Sequence, residues 1–187
     1  MKSRAFQTGA VVLLSGGIDS AACVKFLLNQ GIDVHALNID YGQGAATEER
    51  SAASAIASHY RVPLTHLRCD GSRRKAAGLI LGRNNFLVFT ALVEISRSLI
   101  AIGIHSGTRY WDCSPQFLGS TQVLIDGCTD GRVQLVAPFL TWTKRQIWDF
   151  CKTEGVPLGL TYSCEAGGST PCGRCLSCLD KEALSAG

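Results

Sequence analysis

The sequence predicts an α/β fold: a parallel β-sheet covered by helices on both faces and followed by a small metal-stapled tail. Three observations carry this. Residues 11–31, VVLLSGGIDSAACVKFLLNQG, read as a buried strand, a Ser-Gly-Gly turn and a helix. Short apolar runs then alternate with helical patterns, as βαβ units with right-handed crossovers do. Finally, four of the nine cysteines crowd into residues 164–178.

The elements follow in order. Val11–Leu14 is the first strand, and Ser20–Gln30 is the first helix, stopped by Gly31. Asp33–Asn38 alternates as a second strand, and Ala45–His59 is an alanine- and glutamate-rich helix. Arg61–Leu67 is a third strand. Asn84–Ile102 reads as one long apolar helix and Ile102–Ser106 as the fourth strand. Gln116–Leu124 and Thr143–Thr153 are helical, with Leu135–Ala137 between them as the fifth strand. Trp142 and Trp148 flank Lys144 and pack this last helix, with Trp142 also a candidate pocket wall. Periodicity fades near Thr161, which divides the chain into an α/β domain, 1–160, and a cysteine segment, 161–187.

The 187 residues suit one domain with such an appendage, and 46% hydrophobic with 18% charged residues is a packed composition, not a disordered one. A net charge of +3 does not supply the basic stripe of a nucleic-acid binder. Arg73-Arg74-Lys75 is a short run, either a solvated loop or an anion contact. The apolar run Ala10–Leu14 is too short for a signal peptide, and no stretch nears the ~18 residues of a membrane span. A cytoplasmic protein without a membrane partner is the expectation.

Residues 15–20 lie at the carboxyl end of a strand, where parallel sheets bind ligands. Gly16 and Gly17 let the backbone approach an anion, the following helix offers free N–H groups, and Ser15 and Ser20 add hydroxyls. Asp19 would repel a phosphate, so it either caps the helix or helps hold magnesium. Neither G-x-x-x-x-G-K-[ST] nor G-x-G-x-x-G is present.

Cys164 precedes a C-x-x-C-x-x-C run formed by Cys172, Cys175 and Cys178. Four thiolates so spaced suit one tetrahedral ion, read as structural zinc, with an iron–sulfur cluster as the alternative. Cys23 and Cys151 fall on helical core patterns. Cys69, Cys113 and Cys128 read as buried or loop thiols, the alternative being a sulfur-transfer nucleophile. The four histidines are dispersed.

A strand, S-G-G-x-D-S and a helix together resemble the pyrophosphate loop (PP-loop) of the N-type ATP pyrophosphatases, which cleave ATP between its α and β phosphates and transfer AMP to a substrate oxygen. ALNIDYGQ (36–43), GRNNFL (82–87), DCSPQF (112–117), PFLTWTKRQIWDF (138–150) and TYSCEAGGSTPCGRCLSC (161–178) resemble the motifs of the 7-cyano-7-deazaguanine synthase family, from about Val11 to Cys178. The resemblance implies an adenine nucleotide alpha-hydrolase-like sandwich (the HUP fold), ATP, Mg2+ and Zn2+, and a homodimer. It implies a ligase that adenylates 7-carboxy-7-deazaguanine, adds ammonia, and dehydrates the amide to the nitrile through a second activation.

By motif, the resemblance gives the nucleotide Leu14, Ser15, Gly16, Gly17, Asp19 and Ser20, with Leu37 and Asn38 beside the adenine and Arg83 and Asn84 at the mouth. Lys144 contacts phosphate, and Asp19, Lys144 and Arg83 make the catalytic set. Tyr41, Gln43 and Asp112 face the second substrate, and Cys164, Cys172, Cys175 and Cys178 hold the zinc. The plainer alternatives are a solvated Lys144, a surface salt bridge for Arg83 and a turn cap for Asp112.

The chain departs from the family pattern on the substrate side. Gly44-Ala45 stands where Arg-His usually follows YGQ, Ser114 and Gln116 replace an arginine and a glutamate, and Asp70–Leu81 is shorter than usual. Serine does not replace an arginine in gripping a carboxylate. Relatives found in bacterial antiviral gene clusters imply a second version, in which the activated deazaguanine acyl group passes to a different amine, with a protein amine among the candidates. A tRNA-modifying sulfurtransferase and a non-enzymatic nucleotide-binding module are the further alternatives.

Overall fold

The computed structural model describes residues 6–69, 80–108 and 110–186. Arg73-Arg74-Lys75 and most of the shortened segment, up to residue 79, lie outside them. Five strands form one sheet: β1 (Gln7–Leu13), β2 (Val34–Asp40), β3 (Leu64–Arg68), β4 (Arg97–Ala101) and β5 (Gln134–Val136). All neighbours are parallel, in the order β3-β2-β1-β4-β5. Six helices connect or follow them: α1 (Ile18–Asn29), α2 (Ala46–Tyr60), α3 (Arg83–Glu94), α4 (Pro115–Thr129), α5 (Lys144–Thr153) and α6 (Leu176–Ser185).

Alternation along β1 builds both cores. Ala10, Val12 and Leu14 join residues of α1, α2, α5 and α6 on one face. Val11 and Leu13 join Val88 and Ala91 of α3 and Phe117 and Ile125 of α4 on the other. The result is a sandwich with helices on both faces. The chain leaves β1 toward β2 on one side, while β4 pairs on the other, so a crevice opens above the carboxyl ends of β1 and β4.

The expected long helix Asn84–Ile102 is two elements. α3 ends at Glu94, Ile95 turns extended (φ −124°, ψ 117°), and β4 pairs with β1 through Ala10↔Leu99, Val11↔Ile100 and Val12↔Ala101. The run is apolar throughout, so both periods fit it; Ile100 and Ile102 face one core while Leu99 and Ala101 face the other. The strand expected at Ile102–Ser106 is therefore the loop after β4. The third strand begins at Leu64 rather than Arg61, because Arg61 is the left-handed cap that ends α2 (φ 55°). The first strand starts earlier, at Gln7, and α4 continues to Thr129.

The cysteine segment ends in α6, which the sequence reading lacks. Its Leu184 is buried in the same core as α1 and α5. Trp142 packs with Phe26, Phe139 and Phe150, 5.0 Å from the Phe139 ring centroid, and so builds core rather than the wall of the crevice.

Candidate functional site

The crevice above β1 and β4 is a cleft of about 760 Å3. Leu14, Ser15, Gly17, Asp19, Ser20, Leu37, Tyr41, Gln43, Arg83, Asn84 and Lys144 all line it. The loop between β1 and α1 is built for an anion. Gly16 has φ +88°, and a Cβ there would come within 2.8 Å of the Glu49 carbonyl of α2, so only glycine fits. The Ser15 and Ser20 hydroxyls lie 3.1 Å apart, Ser20 Oγ donates to the Gly17 carbonyl, and Gly17 N–H donates to Ser15 Oγ at 3.3 Å.

Two helices carry a side-chain cap, whereas α1, like α2, α3 and α6, has none. Ser114 caps α4 by accepting from Phe117 N–H at 3.1 Å, and Thr143 caps α5 in a reciprocal box with Gln146. α1 begins at Gly17 with no side-chain cap. Its first-turn N–H groups face the cleft with the positive end of the helix dipole, which fits a phosphate group.

Asp19 does not cap the helix. Lys144, the first residue of α5, donates to both of its oxygens, at 2.6 and 2.5 Å. Both side chains keep some exposure, 28% for Lys144 and 22% for Asp19, so the pair faces the cleft. Close approach of the loop after β4 helps place Asp19: a Cβ on Gly103 would lie 2.7 Å from the Asp19 carbonyl and 2.9 Å from Ser20 N.

Asn38, expected beside the adenine, is buried under the loop instead and is not among the described cleft-lining residues. Its amide donates to the Leu14 carbonyl at 2.9 Å, and its oxygen meets His66 Nδ1 at 3.2 Å. It ties β2 to the end of β1, while Leu14 and Leu37 present themselves to the cleft.

On the β2 side, Gln43 is occupied internally. Its oxygen accepts from Tyr41 N–H, and its amide donates to the Ile39 carbonyl and, at 2.7 Å, to Glu49. Glu49 lines the cleft, and burial raises its carboxyl above the ordinary 4.5 against the pull of Gln43 and Arg83. Arg83 Nε donates to Asn84 Oδ1 at 3.2 Å, and the buried Asn84 amide donates to the Asp112 carbonyl at 2.8 Å. Asp112 thus contributes backbone to a short 3-10 turn, Trp111–Cys113, and is not among the described cleft-lining residues. Ser114 and Gln116 are likewise absent from that lining; the serine is a helix cap. Gly44 and Ala45 do line the cleft, and a Cβ on Gly44 would press to 3.3 Å on the Ala166 carbonyl of the cysteine segment.

Of the scattered cysteines, Cys23 and Cys151 are buried, and burial pushes both thiols up to about 12. Cys128 is exposed, Cys69 is half-buried, and Cys113 alone of the five lines the cleft, with its thiol raised by burial. A raised thiol is a poor nucleophile.

Cys164, Cys172, Cys175 and Cys178 place their sulfurs within 4.8 Å of one another. Cys172 and Cys178 are 4.0 Å apart, close to the ~3.8 Å that tetrahedral Zn–S bonds of about 2.3 Å require. The Cys172 N–H bonds the Cys164 sulfur at 3.3 Å and draws its thiol down to about 6. This knot is joined to the loop between β1 and α1, because Tyr162 N–H donates to the Gly16 carbonyl at 2.9 Å. Tyr162, Ser163, Cys164 and Glu165, with Ser177, Asp180 and Lys181 of α6, wall one side of the cleft. The sequence reading names Cys164 only as a metal ligand and places none of these wall residues, nor Glu49 or His105, at the cleft. The weak apolar spacing of Leu176, Leu179 and Leu184 was the one available signal for α6.

No helix among the described residues is long and apolar enough to cross a membrane. The chain is 30% identical over 208 residues to a 7-cyano-7-deazaguanine synthase of Synechococcus sp. (strain CC9605), covering 95% of this chain and 92% of the relative. It is 30% identical to the enzyme of that name from Methanothermobacter thermautotrophicus, covering 91% of this chain and 90% of the relative. Among solved structures, NMN synthetase from Francisella tularensis matches with a TM-score of 0.54 at 17% identity, over 95% of this chain and 77% of that one, a likeness of fold. The family described as "Queuosine biosynthesis protein QueC" matches residues 9–79 and 72–185. The chain belongs to that family.

Proposed function

We propose that the protein is an ATP-dependent ligase that adenylates a 7-carboxy-7-deazaguanine-type acid and converts it with ammonia to 7-cyano-7-deazaguanine. The observation that carries the reading is the meeting of the uncapped α1 terminus and Lys144 in one cleft at the sheet's switch point. ATP lies with its β and γ phosphates on Ser15, Gly17 and Ser20. A carboxylate oxygen of the acid attacks the α phosphorus, the bond to the β-phosphate oxygen breaks, and pyrophosphate leaves into the loop. Adenylation is required because hydroxide is a very poor leaving group and AMP a good one.

Ammonia then attacks the acyl carbon and AMP departs, leaving the amide. A second activation, at the amide oxygen, lets that oxygen leave with AMP as the nitrogen loses its protons and the nitrile forms. Lys144, released from Asp19, neutralises phosphate charge during each transfer. Asp19 is the loop carboxylate that would hold a Mg2+ ion, which would neutralise phosphate charge beside Lys144. Zn2+ fits the four thiolates as a structural ion, and residues 161–187 act as a metal-stapled unit set against the α/β domain 1–160. The homodimer implied by the resemblance belongs to the same proposal.

A second reading has one observation in its favour. Gly44 and Ala45 leave the β2 side of the cleft without the arginine and histidine side chains usual in the family, which suits a bulkier acceptor amine, such as one carried by a protein. Mass spectrometry after incubation with ATP, Mg2+ and 7-carboxy-7-deazaguanine, with and without ammonia, separates the two. A nitrile that needs ammonia supports the first reading. A covalent adduct on an added protein supports the second. Absence of AMP with this acid and its analogues sinks both.

A further inference from the structure

His105 follows β4 at the crevice, lines the cleft and is 9% exposed. Gly107 N–H donates to its Nδ1 at 3.2 Å. A backbone amide can only donate, so Nδ1 carries no proton and the ring hydrogen of the neutral imidazole sits on Nε2. The fit needs glycine at 107, since a Cβ there would come within 2.9 Å of Nδ1. Nε2 meets no hydrogen-bond partner among the described residues, which leaves its N–H for whatever occupies the cleft. Asp19, Lys144 and Asp180 are the charged groups that act on the ring. Burial, helped by Lys144 and opposed by Asp19 and Asp180, holds the imidazole below its ordinary 6.5 and so neutral at pH 7.

We infer that His105 is a catalytic hydrogen-bond donor whose Nε2–H binds the anionic oxygens that develop where the carboxylate meets the α-phosphate. The inference rests on the adenylation reading above. The ring neither gives up nor gains a proton. Its fixed N–H is aimed in advance at developing charge, and its neutrality prevents it from competing with Lys144 for Asp19. The loop after β4 thereby supplies a third element to the reaction centre, beside the phosphate loop and the start of α5.

The test combines nitrogen NMR on 15N-histidine-labelled protein with kinetics of His105→Gln and His105→Phe. The wild type at pH 7 is expected to show the neutral Nε2–H form at His105, assigned by its loss in the variants, and the signal should move when Mg-ATP is added. His105→Phe should lower kcat by about 10²–10³-fold with KM for ATP within about twofold. His105→Gln, which restores a donor, should recover at least about tenfold of that loss. A protonated ring or an Nδ1–H form in the presence of Mg-ATP overturns the inference, as does a glutamine variant no better than phenylalanine. Should the wild type form no AMP from any acid, the adenylation reading fails separately. An Nε2–H signal unmoved by Mg-ATP then overturns the histidine role on its own.

Discussion

Lys144 and Asp19 stand 125 residues apart in the chain and meet in a two-pronged ion pair, Nζ to Oδ1 at 2.6 Å and to Oδ2 at 2.5 Å. The pair lines the cleft beside the loop between β1 and α1. In the nucleotide-free protein, Asp19 therefore holds Lys144 at the cleft and limits its rotamers.

Lys144→Met should lower AMP formation by about 10²–10³-fold, the usual cost of losing a charge stabiliser at a reaction centre. The partial exposure of the pair keeps the stability cost small, about 1 kcal/mol. Pyrophosphate release and a thermal melt check the two halves. An inactive variant whose melting point also collapses would assign the lysine to folding instead.

Gly103→Ala drives a Cβ against the Asp19 carbonyl and Ser20 N, both backbone atoms that cannot turn away. A loss of about 1–3 kcal/mol is expected, together with weaker ATP binding. Gly119→Ala is the matched control, because nothing lies within 4 Å of its Cβ position inside α4. It should gain about 0.5–1 kcal/mol from helix propensity. Denaturant titrations of the two variants should move in opposite directions.

Metal removal should reach the nucleotide site. The thiolate knot fixes Tyr162, whose N–H holds the Gly16 carbonyl, and it walls the cleft through Glu165 and Ser177. Chelation, or Cys172→Ser, is expected to lower the melting temperature and to weaken ATP binding roughly tenfold, the equivalent of about one lost hydrogen bond. Metal analysis alongside nucleotide titration tests this. ATP affinity that survives complete metal loss would falsify the coupling.

Glu49 gives a pH dependence of defined sign. Burial raises its folded-state value above the 4.5 of the free side chain, so between the two values the folded chain binds more proton than the unfolded one. Stability therefore falls as pH rises through that interval and stays lowered above it. Glu49→Gln keeps an acceptor for Gln43 and removes the charge. The variant should match the wild type below about pH 4, where Glu is protonated in both states, and exceed it at pH 7. Urea midpoints measured across that range decide the matter; equal midpoints at pH 7 would contradict it.

The local chemistry of the chain was legible in its sequence. Ser15–Ser20 declared a ligand-facing turn because a strand, two glycines and a helix start leave backbone N–H groups free over a short span. The four cysteines declared a cluster able to hold a metal ion because their spacing is nearly local. Register and partnership were not legible. Asn84–Ile102 is apolar at both helical and strand periods, and only pairing of Leu99–Ala101 with β1 chose between them. Asn38 and Asp112 lie in the right motifs, yet the fold uses one to tie two strands and the other for its carbonyl. α6 carries too little periodicity to stand out, and it is fixed by burying Leu184 against α1 and α5. By itself, then, the sequence determined the family, the glycine turn after the first strand and the cluster of four cysteines, all of which depend on residues near one another in the chain. Only the tertiary structure decided that Lys144 grips Asp19, that Tyr162 props Gly16 and that Gly107 N–H holds the His105 ring at Nδ1. Those contacts join distant segments or depend on how a side chain is oriented, and it is the packing of the sheet and its two helical layers that sets both.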